Sequence, residues 1–478
     1  MNTMSALDAL FLFAEDGTTH LHIGSCGVFV GPAPSMDELN ALIASKLHLA
    51  HRFRQKVRLV PGGLGRPVWV DDTGFDLGYH VRHSALPPPG NAQDLDNLMG
   101  RLMSQELDRS RPLWEMWLVE GLPHAQWALI SKVHHCMVDG VSGTDLMTVL
   151  MDATPDVPIT PSPPWTADPE PSDVRLMLDA VAGLALAQGR QVVSLVRGAS
   201  SPGTTLRRLT DTVAGFRSFG RRIKTPAVPL SIEGSIGSHR RWAVARCTLA
   251  DTKAIRLVFG GSVNDVLLTA ITAGFRDLLV RRGDVVDDAT ISSLVPVSIR
   301  SGDDHTYNNQ VSMMIAELPV GVADPLDRLN AVKAGMAEVK QSNQATAGAA
   351  AFDVVDLMPP ALFVAAVRAA MSILRRTPQR TINTVTTNVA GPPYPLFALG
   401  REMVEYLPFV PLSPGMRIGV AILSYNGRLA FGITGDYDSA PDVQTMAEGI
   451  EAAIAELREL SGQAGASASG SRKRTEPR

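Results

Sequence analysis

Gln126–Gly140 (QWALISKVHHCMVDG) is the stretch on which the reading of this chain turns. Its first part, Gln126 to Val133, sets large apolar side chains among smaller and polar ones and predicts a β-strand. Asp139-Gly140 is turn chemistry. Ser142-Gly143-Thr144-Asp145 then has the form of a capping box that opens a helix through Leu146, Met147 and Leu150. The histidine pair therefore falls where a strand ends and a helix begins. On a strand, Leu129, Val133 and His135 share one face while Ile130, Lys132 and His134 share the other. The two imidazoles point apart, so one is placed for chemistry while the other packs.

Outward from this motif the chain divides into blocks. Residues 1–154 alternate strand-like and helix-like segments. Seven prolines between Pro155 and Pro171 forbid a helix or a central strand there, so residues 155–240 begin as a semi-extended linker and continue as a helical connection from Val174 to about Arg222. A second alternating block spans 241–461. In it Ser262 caps a long helix carrying Val266, Leu267, Ile271, Phe275 and Leu278 that stops at Gly283. Strands are predicted at Thr290–Ile299, Val311–Leu318, Thr384–Val389, Arg417–Tyr425 and Arg428–Asp436. The small, polar and charged residues 462–478 predict a disordered tail. Periodicity thus specifies two α/β domains.

Composition sets outer limits. At 478 residues the chain exceeds a typical single core. A hydrophobic share of 45% against 19% charged residues fits globular domains. A net charge of −4 argues against a polyanion-binding role, and no nucleic-acid partner is expected. Cys26, Cys136 and Cys247 are odd in number and lack metal-ligand spacing, which suits a reducing cytoplasm. Cys136, inside the motif, reads as a small buried hydrophobe. The start of the chain lacks the pattern of a secretory signal, and no stretch reaches the roughly 20 apolar residues needed to span a bilayer. Ala361–Leu374 (ALFVAAVRAAMSIL) is the nearest candidate. Its length and Arg368 suit a core helix or an interfacial one.

HHxxxDG (His134-His135 to Asp139-Gly140) resembles the signature of acyl-CoA-dependent acyltransferases related to chloramphenicol acetyltransferase and to peptide-synthetase condensation domains. The wider chain is similar to the bacterial wax ester synthase/diacylglycerol acyltransferases, from Ala6-Leu7-Asp8-Ala9-Leu10-Phe11 to about Tyr437-Asp438. Its landmarks are Arg52-Phe53-Arg54-Gln55, Phe75-Asp76-Leu77, Tyr79-His80-Val81-Arg82, Leu107-Asp108-Arg109 and Arg111-Pro112-Leu113-Trp114. Further on come Asn264-Asp265-Val266, Pro296-Val297-Ser298-Ile299-Arg300 and Asn388-Val389-Ala390-Gly391-Pro392. The ordered set is far more specific than HHxxxDG alone.

The resemblance implies an α/β sandwich fold of two chloramphenicol-acetyltransferase-like domains with the active-site tunnel between them. It implies that His135 is the general base acting on a substrate hydroxyl without an acyl-enzyme, an imidazole being suited to that task near neutral pH. His134 then supports it, and Asp139 holds the loop that presents it, with Arg54 as its candidate partner. Gly140 provides a tight turn. Asn264-Asp265 has two open readings: a substrate-binding pair in which Asn264 donates to the oxyanion or CoA, and a helix start where Asp265 suits capping and the helix dipole. Pro112, Leu113 and Trp114 would pack along the acyl tunnel, and Ser298 would donate to substrate. Tyr307-Asn308-Asn309 and Val389-Ala390-Gly391 depart from the usual pattern, which affects loop geometry. No cofactor or metal is expected beyond acyl-CoA as co-substrate. The expected acceptors are diacylglycerol or a long-chain alcohol, with peripheral contact to the inner membrane face or a lipid droplet. A carrier-protein donor and an inert lipid-droplet scaffold are the rival readings.

Overall fold

A computed structural model describes residues 2–138, 146–183, 229–298, 311–341 and 381–472, with residues 362, 364–367, 369, 371 and 372. The first half contains α1 (Ala6–Ala14), β1 (His22–Val30), α2 (Met36–Lys46), β2 (Val81–Ala85), α3 (Ala92–Met103), β3 (Trp114–Leu122), β4 (Gln126–His134) and a short α4 (Leu146–Leu150). The second half begins with β5 (Arg240–Thr248), α5 (Leu249–Phe259), α6 (Val263–Arg282), β6 (Ile291–Ser298), β7 (Val311–Leu318) and α7 (Pro325–Gln341). It continues with β8 (Thr384–Ala390), β9 (Phe397–Ala398), β10 (Arg401–Phe409), β11 (Ile418–Tyr425), β12 (Arg428–Asp436) and α8 (Val443–Arg472).

Two six-stranded sheets organise these elements. The first has the order β9-β10-β1-β4-β3-β2, antiparallel except for the β3–β2 pair. The second has the order β7-β6-β8-β11-β12-β5, with β8 parallel to both neighbours. β4 is central and covered on both sides. Trp127, Leu129 and Val133 enter the core of the first half, whereas Ala128 and Ile130 enter a second core at the joint between the halves. A strand buried on both faces needs a continuous apolar run, which Trp127–Ile130 provides; Ser131 and Lys132 are buried as well, the Lys132 ammonium donating to the Gln105 carbonyl.

The joint is apolar and tight. Leu95, Met99 and Leu102 of α3 meet Trp242 and Val244 of β5 and Leu407 and Phe409 of β10. Two glycines permit this approach: a Cβ on Gly100 would lie 2.7 Å from the Arg240 carbonyl oxygen, and one on Gly432 would overlap the carbonyl oxygen of Pro408.

The five strands predicted in the second block are present, with ends shifted by a residue or two at most. Ser262 and Asp265 close a capping box on α6, and Gly283 ends it at φ 80°. Three expectations are corrected. Residues 397–409 were placed in the second block, yet β9 and β10 hydrogen-bond into the first sheet, β10 pairing with β1. Arg401, Glu402, Glu405 and Pro408 interrupt the apolar pattern of β10. Residues 462–478 were read as disordered, but α8 continues to Arg472. Three alanines favour this extension while Gly462, Gly465 and Gly470 oppose it, and the packed helix upstream supplies the nucleus; residues 473–478 lie outside the described residues. Lastly, β4 stops at His134, and His135–Met137 form a 3-10 turn, not a continuing strand.

Among the described residues no single helix is long and apolar enough to cross a membrane. α5 and α6 pass such a test only as a pair bent by 102°, and Val266–Phe275 of α6 are buried in the second-half core. Within 361–374, Val367 is buried and Val364 and Met371 pack beside it against the first-half core, while Leu362 is exposed. The proline-rich segment has neither helix nor strand, apart from a β-bridge at Asp152 just before it, and docks on the first half. Trp165 packs edge-on to Phe75, and Glu170 pairs with Lys56 and Arg58.

Candidate functional site

His135 is held by the N-terminal segment. Its N–H donates to the Leu21 carbonyl at 2.8 Å, and its ring stacks on Phe11 of α1 with centroids 4.0 Å apart. Ser5 fixes that helix by capping it with a hydrogen bond from Asp8 N. The imidazole is half-buried, and its buried Nδ1 has no hydrogen-bond partner on another described residue. Burial lowers its pKa from 6.5 to about 4; neighbouring His134 acts in the same direction, and the histidine's own backbone carbonyl opposes both. The ring is therefore neutral at pH 7 and competent to accept a proton.

His134 is fully buried and has a defined tautomer. Its Nδ1 accepts the Cys136 N–H at 3.1 Å, so the neutral ring carries its proton on Nε2, 3.1 Å from Glu15 Oε2. Glu15 also accepts from Arg109 Nη2 at 2.7 Å and from Leu21 N at 3.3 Å. His22 Nε2 lies 3.1 Å from Glu15 Oε1 in a contact too bent for a good hydrogen bond. Burial by itself would raise the Glu15 pKa; the contacts from His134 and His22 outweigh it and hold the carboxyl well below its usual range. His22 is itself lowered to about 3, chiefly by burial. His134 is thus held at Glu15 and His135 against Phe11, and the 3-10 turn that begins at His135 takes the place of strand alternation there.

Glu15, His22 and the role of Arg109 were not foreseen. The available signal was the carboxylate pair Glu15-Asp16 closing the run Ala6–Ala14, followed by His20-Leu21-His22 at the start of a buried strand. Cys136 is buried in the first-half core with its thiol pushed well above its ordinary pKa by burial, as suits a packing residue.

The other expected residues are placed as follows. Asp265 caps α6: its Oδ2 accepts Ser262 N at 2.7 Å. Asn264, beside it, is half-buried, and its Oδ1 accepts a hydrogen bond from Asn388 Nδ2 at 3.2 Å, which leaves the Asn264 amide N–H groups as donors. Pro112, Leu113 and Trp114 are buried core residues. Leu113 O receives the His134 N–H at 2.9 Å, Trp114 Nε1 donates to Phe53 O at 2.8 Å, and the Trp114 ring stacks on His80. They back the strand end that carries the histidines. Arg54 is buried with its guanidinium 4.9 Å above the Trp165 ring. Its expected partner Asp139, with Gly140, lies outside the described residues, as do Ile299, Arg300 and residues 301–310. Ser298 ends β6, where its backbone pairs with Val311.

A cavity of about 790 Å³ lies at the joint of the halves, lined by Arg101 and Gln105 near α3 and by Arg241 and Tyr437. A smaller one of about 380 Å³ lies between Phe13, Val60, Pro67 and Val364. Neither has His135 or Asn264 in its wall. Among the described residues no group of three or more His, Cys, Asp or Glu is arranged to hold a metal ion. At Glu15 the His134 nitrogen donates to the carboxylate and does not converge with it on a common point.

The chain is similar to known proteins over nearly its whole length. Residues 4–267 match the model of the wax ester synthase/diacylglycerol acyltransferase catalytic domain, and residues 307–458 match that family's C-terminal domain. The chain is 36% identical over 464 residues to a protein of Mycobacterium tuberculosis named a probable diacylglycerol O-acyltransferase (tgs1), covering 96% of both. Its structure is similar to the wax ester synthase/diacylglycerol acyltransferase from Marinobacter aquaeolei VT8, with a TM-score of 0.68 and 26% identity over 97% of this chain and 100% of that one. The first condensation domain of the calcium-dependent antibiotic synthetase shares the fold at a TM-score of 0.56 and 16% identity, over 96% of each chain. The expected two-domain α/β architecture is therefore this chain's fold, and the chain belongs to the wax ester synthase/diacylglycerol acyltransferase family.

Proposed function

We propose that this chain is an acyl-CoA-dependent O-acyltransferase that moves a long-chain acyl group to the free hydroxyl of diacylglycerol. The product is triacylglycerol, and a long-chain alcohol is a second acceptor giving a wax ester. The observation that carries the reading is the His135 imidazole stacked on Phe11 and fixed through the Leu21 carbonyl at the end of a central strand, where burial keeps it neutral. With the proton on Nδ1, Nε2 is the basic nitrogen. It removes the hydroxyl proton as the oxygen attacks the thioester carbonyl. Collapse of the tetrahedral intermediate breaks the C–S bond, and the CoA thiolate leaves with the proton from the imidazolium. No acyl-enzyme forms.

Asn264 supplies a hydrogen bond to the oxyanion. Asn388 supports this role by occupying the Asn264 carbonyl oxygen, which turns the amide N–H groups outward as donors. Peripheral contact with a membrane or lipid droplet is supported by exposed Val174, Leu178 and Val181, spaced along one helical face, and by exposed Leu59 and Leu64.

The test uses purified protein with labelled palmitoyl-CoA and, in parallel, diolein or hexadecanol. Labelled triacylglycerol is expected, with free CoA released in equal amount. A folded protein that uses neither acceptor, or that carries the label covalently after denaturation, would overturn the reading.

A further inference from the structure

We infer that Glu15 is a positioning residue for acyl transfer: its carboxylate fixes the tautomer of His134, and His134 in turn closes the turn that presents His135. The inference rests on His135 being the base. The geometry runs through three contacts. Glu15 Oε2 accepts from His134 Nε2 at 3.1 Å, and His134 Nδ1 accepts the Cys136 N–H at 3.1 Å. Cys136 directly follows the base, so this second bond spans His135 and caps the 3-10 turn His135–Met137. If the His134 proton moved to Nδ1, that nitrogen would meet the Cys136 N–H donor to donor and the turn would open.

The carboxylate is itself clamped. It directly follows α1, whose Phe11 stacks on the His135 ring, and its backbone N–H is bonded to Phe11 O. Arg109 Nη2 and Leu21 N hold its two oxygens, and Leu21 O holds the His135 N–H. One short segment, residues 11–22, therefore grips both histidines by different means: an aromatic face and a backbone carbonyl for His135, and a carboxylate for His134. A buried, multiply hydrogen-bonded carboxylate imposes a tautomer on an imidazole with little freedom to relax. Its depressed pKa keeps it charged, so the lock persists across the neutral range.

The test compares Glu15→Gln and Glu15→Asp with the native chain and with His135→Ala. In Glu15→Gln the amide accepts only weakly, and its NH₂ group faces donors. kcat should fall roughly 10- to 100-fold, the scale for losing a hydrogen-bonded orienter behind a functional histidine, with KM unchanged. In ¹⁵N-histidine spectra the native protein should show His134 protonated on Nε2, and the variant a population protonated on Nδ1. Glu15→Asp keeps the charge but falls one methylene short, so an intermediate kcat is expected; it also serves if Glu15→Gln does not fold. A merely structural role would lower the melting temperature and leave kcat per folded molecule unchanged, which overturns the inference. So would a native spectrum with the proton on Nδ1 of His134. If His135→Ala retains activity, the base assignment itself fails; loss in His135→Ala with full kcat in both Glu15 variants defeats the positioning role alone.

Discussion

Acidifying the assay is the most informative perturbation of this site. An ordinary imidazole of pKa 6.5 is only about 10% neutral at pH 5.5, whereas one near 4 is about 97% neutral. Burial places His135 in the second class. kcat/KM at pH 5.5 should therefore lie within ~10% of its value at pH 7.5, where an exposed base would give a loss of about tenfold. Because the folded pKa is lowered, the unfolded chain binds a proton between pH 6.5 and 4 that the folded chain does not, so stability falls as pH falls through that window. His22, lowered to about 3, acts in the same sense, as does Glu15 once pH drops below the ordinary carboxylate range. Each rate must accordingly be divided by the folded fraction from circular dichroism at the same pH. Palmitoyl-pantetheine is run beside palmitoyl-CoA, because a phosphate monoester such as that of CoA titrates near ~6. An acid limb near 6.5 with both donors, in fully folded protein, would refute a buried neutral base.

Other sites give sharper local tests. Asn264→Ala should reduce kcat roughly 10²–10³-fold if its amide meets the oxyanion. Asn388→Ala, which frees the Asn264 amide to rotate, should reduce kcat less; equal activity of Asn264→Ala and the native enzyme in a steady-state assay would leave Asn264 only its place at the start of α6. Gly432→Ala sets a methyl group against the Pro408 carbonyl at the joint of the halves and should destabilise by about 3 kcal/mol or more, read as a large fall in melting temperature. Unchanged melting would mean the two halves are not packed as described.

Much of the second half was legible because its elements carry local signals. Ser262, Asp265 and Gly283 mark both ends of α6, and the strands from Ile291 to Asp436 follow apolar runs bounded by turns. β10 was not legible, because its pairing with β1 joins residues over 370 positions apart and no local pattern reports that partner. In the site, His135 stood out because HHxxxDG is short and contiguous. The cluster behind it did not, since Glu15, His22, Arg109 and His134 converge only after α1, β1 and β4 have packed. Strand alternation was not the guide to His135, because the strand stops at His134 and a 3-10 turn begins at His135. The helical extension of α8 past Ser461 shows the converse, a low-complexity composition overruled by a packed helix upstream.

The measurement that bears most directly on the account is triacylglycerol formation from palmitoyl-CoA and diolein by the native chain and by His135→Ala, matched for melting temperature and circular dichroism. Loss of kcat by roughly 10²–10⁴-fold in the variant, with no acyl label retained on either protein after denaturation, is the predicted result. Triacylglycerol formation by folded His135→Ala at the native rate would contradict it and remove His135 from the chemistry.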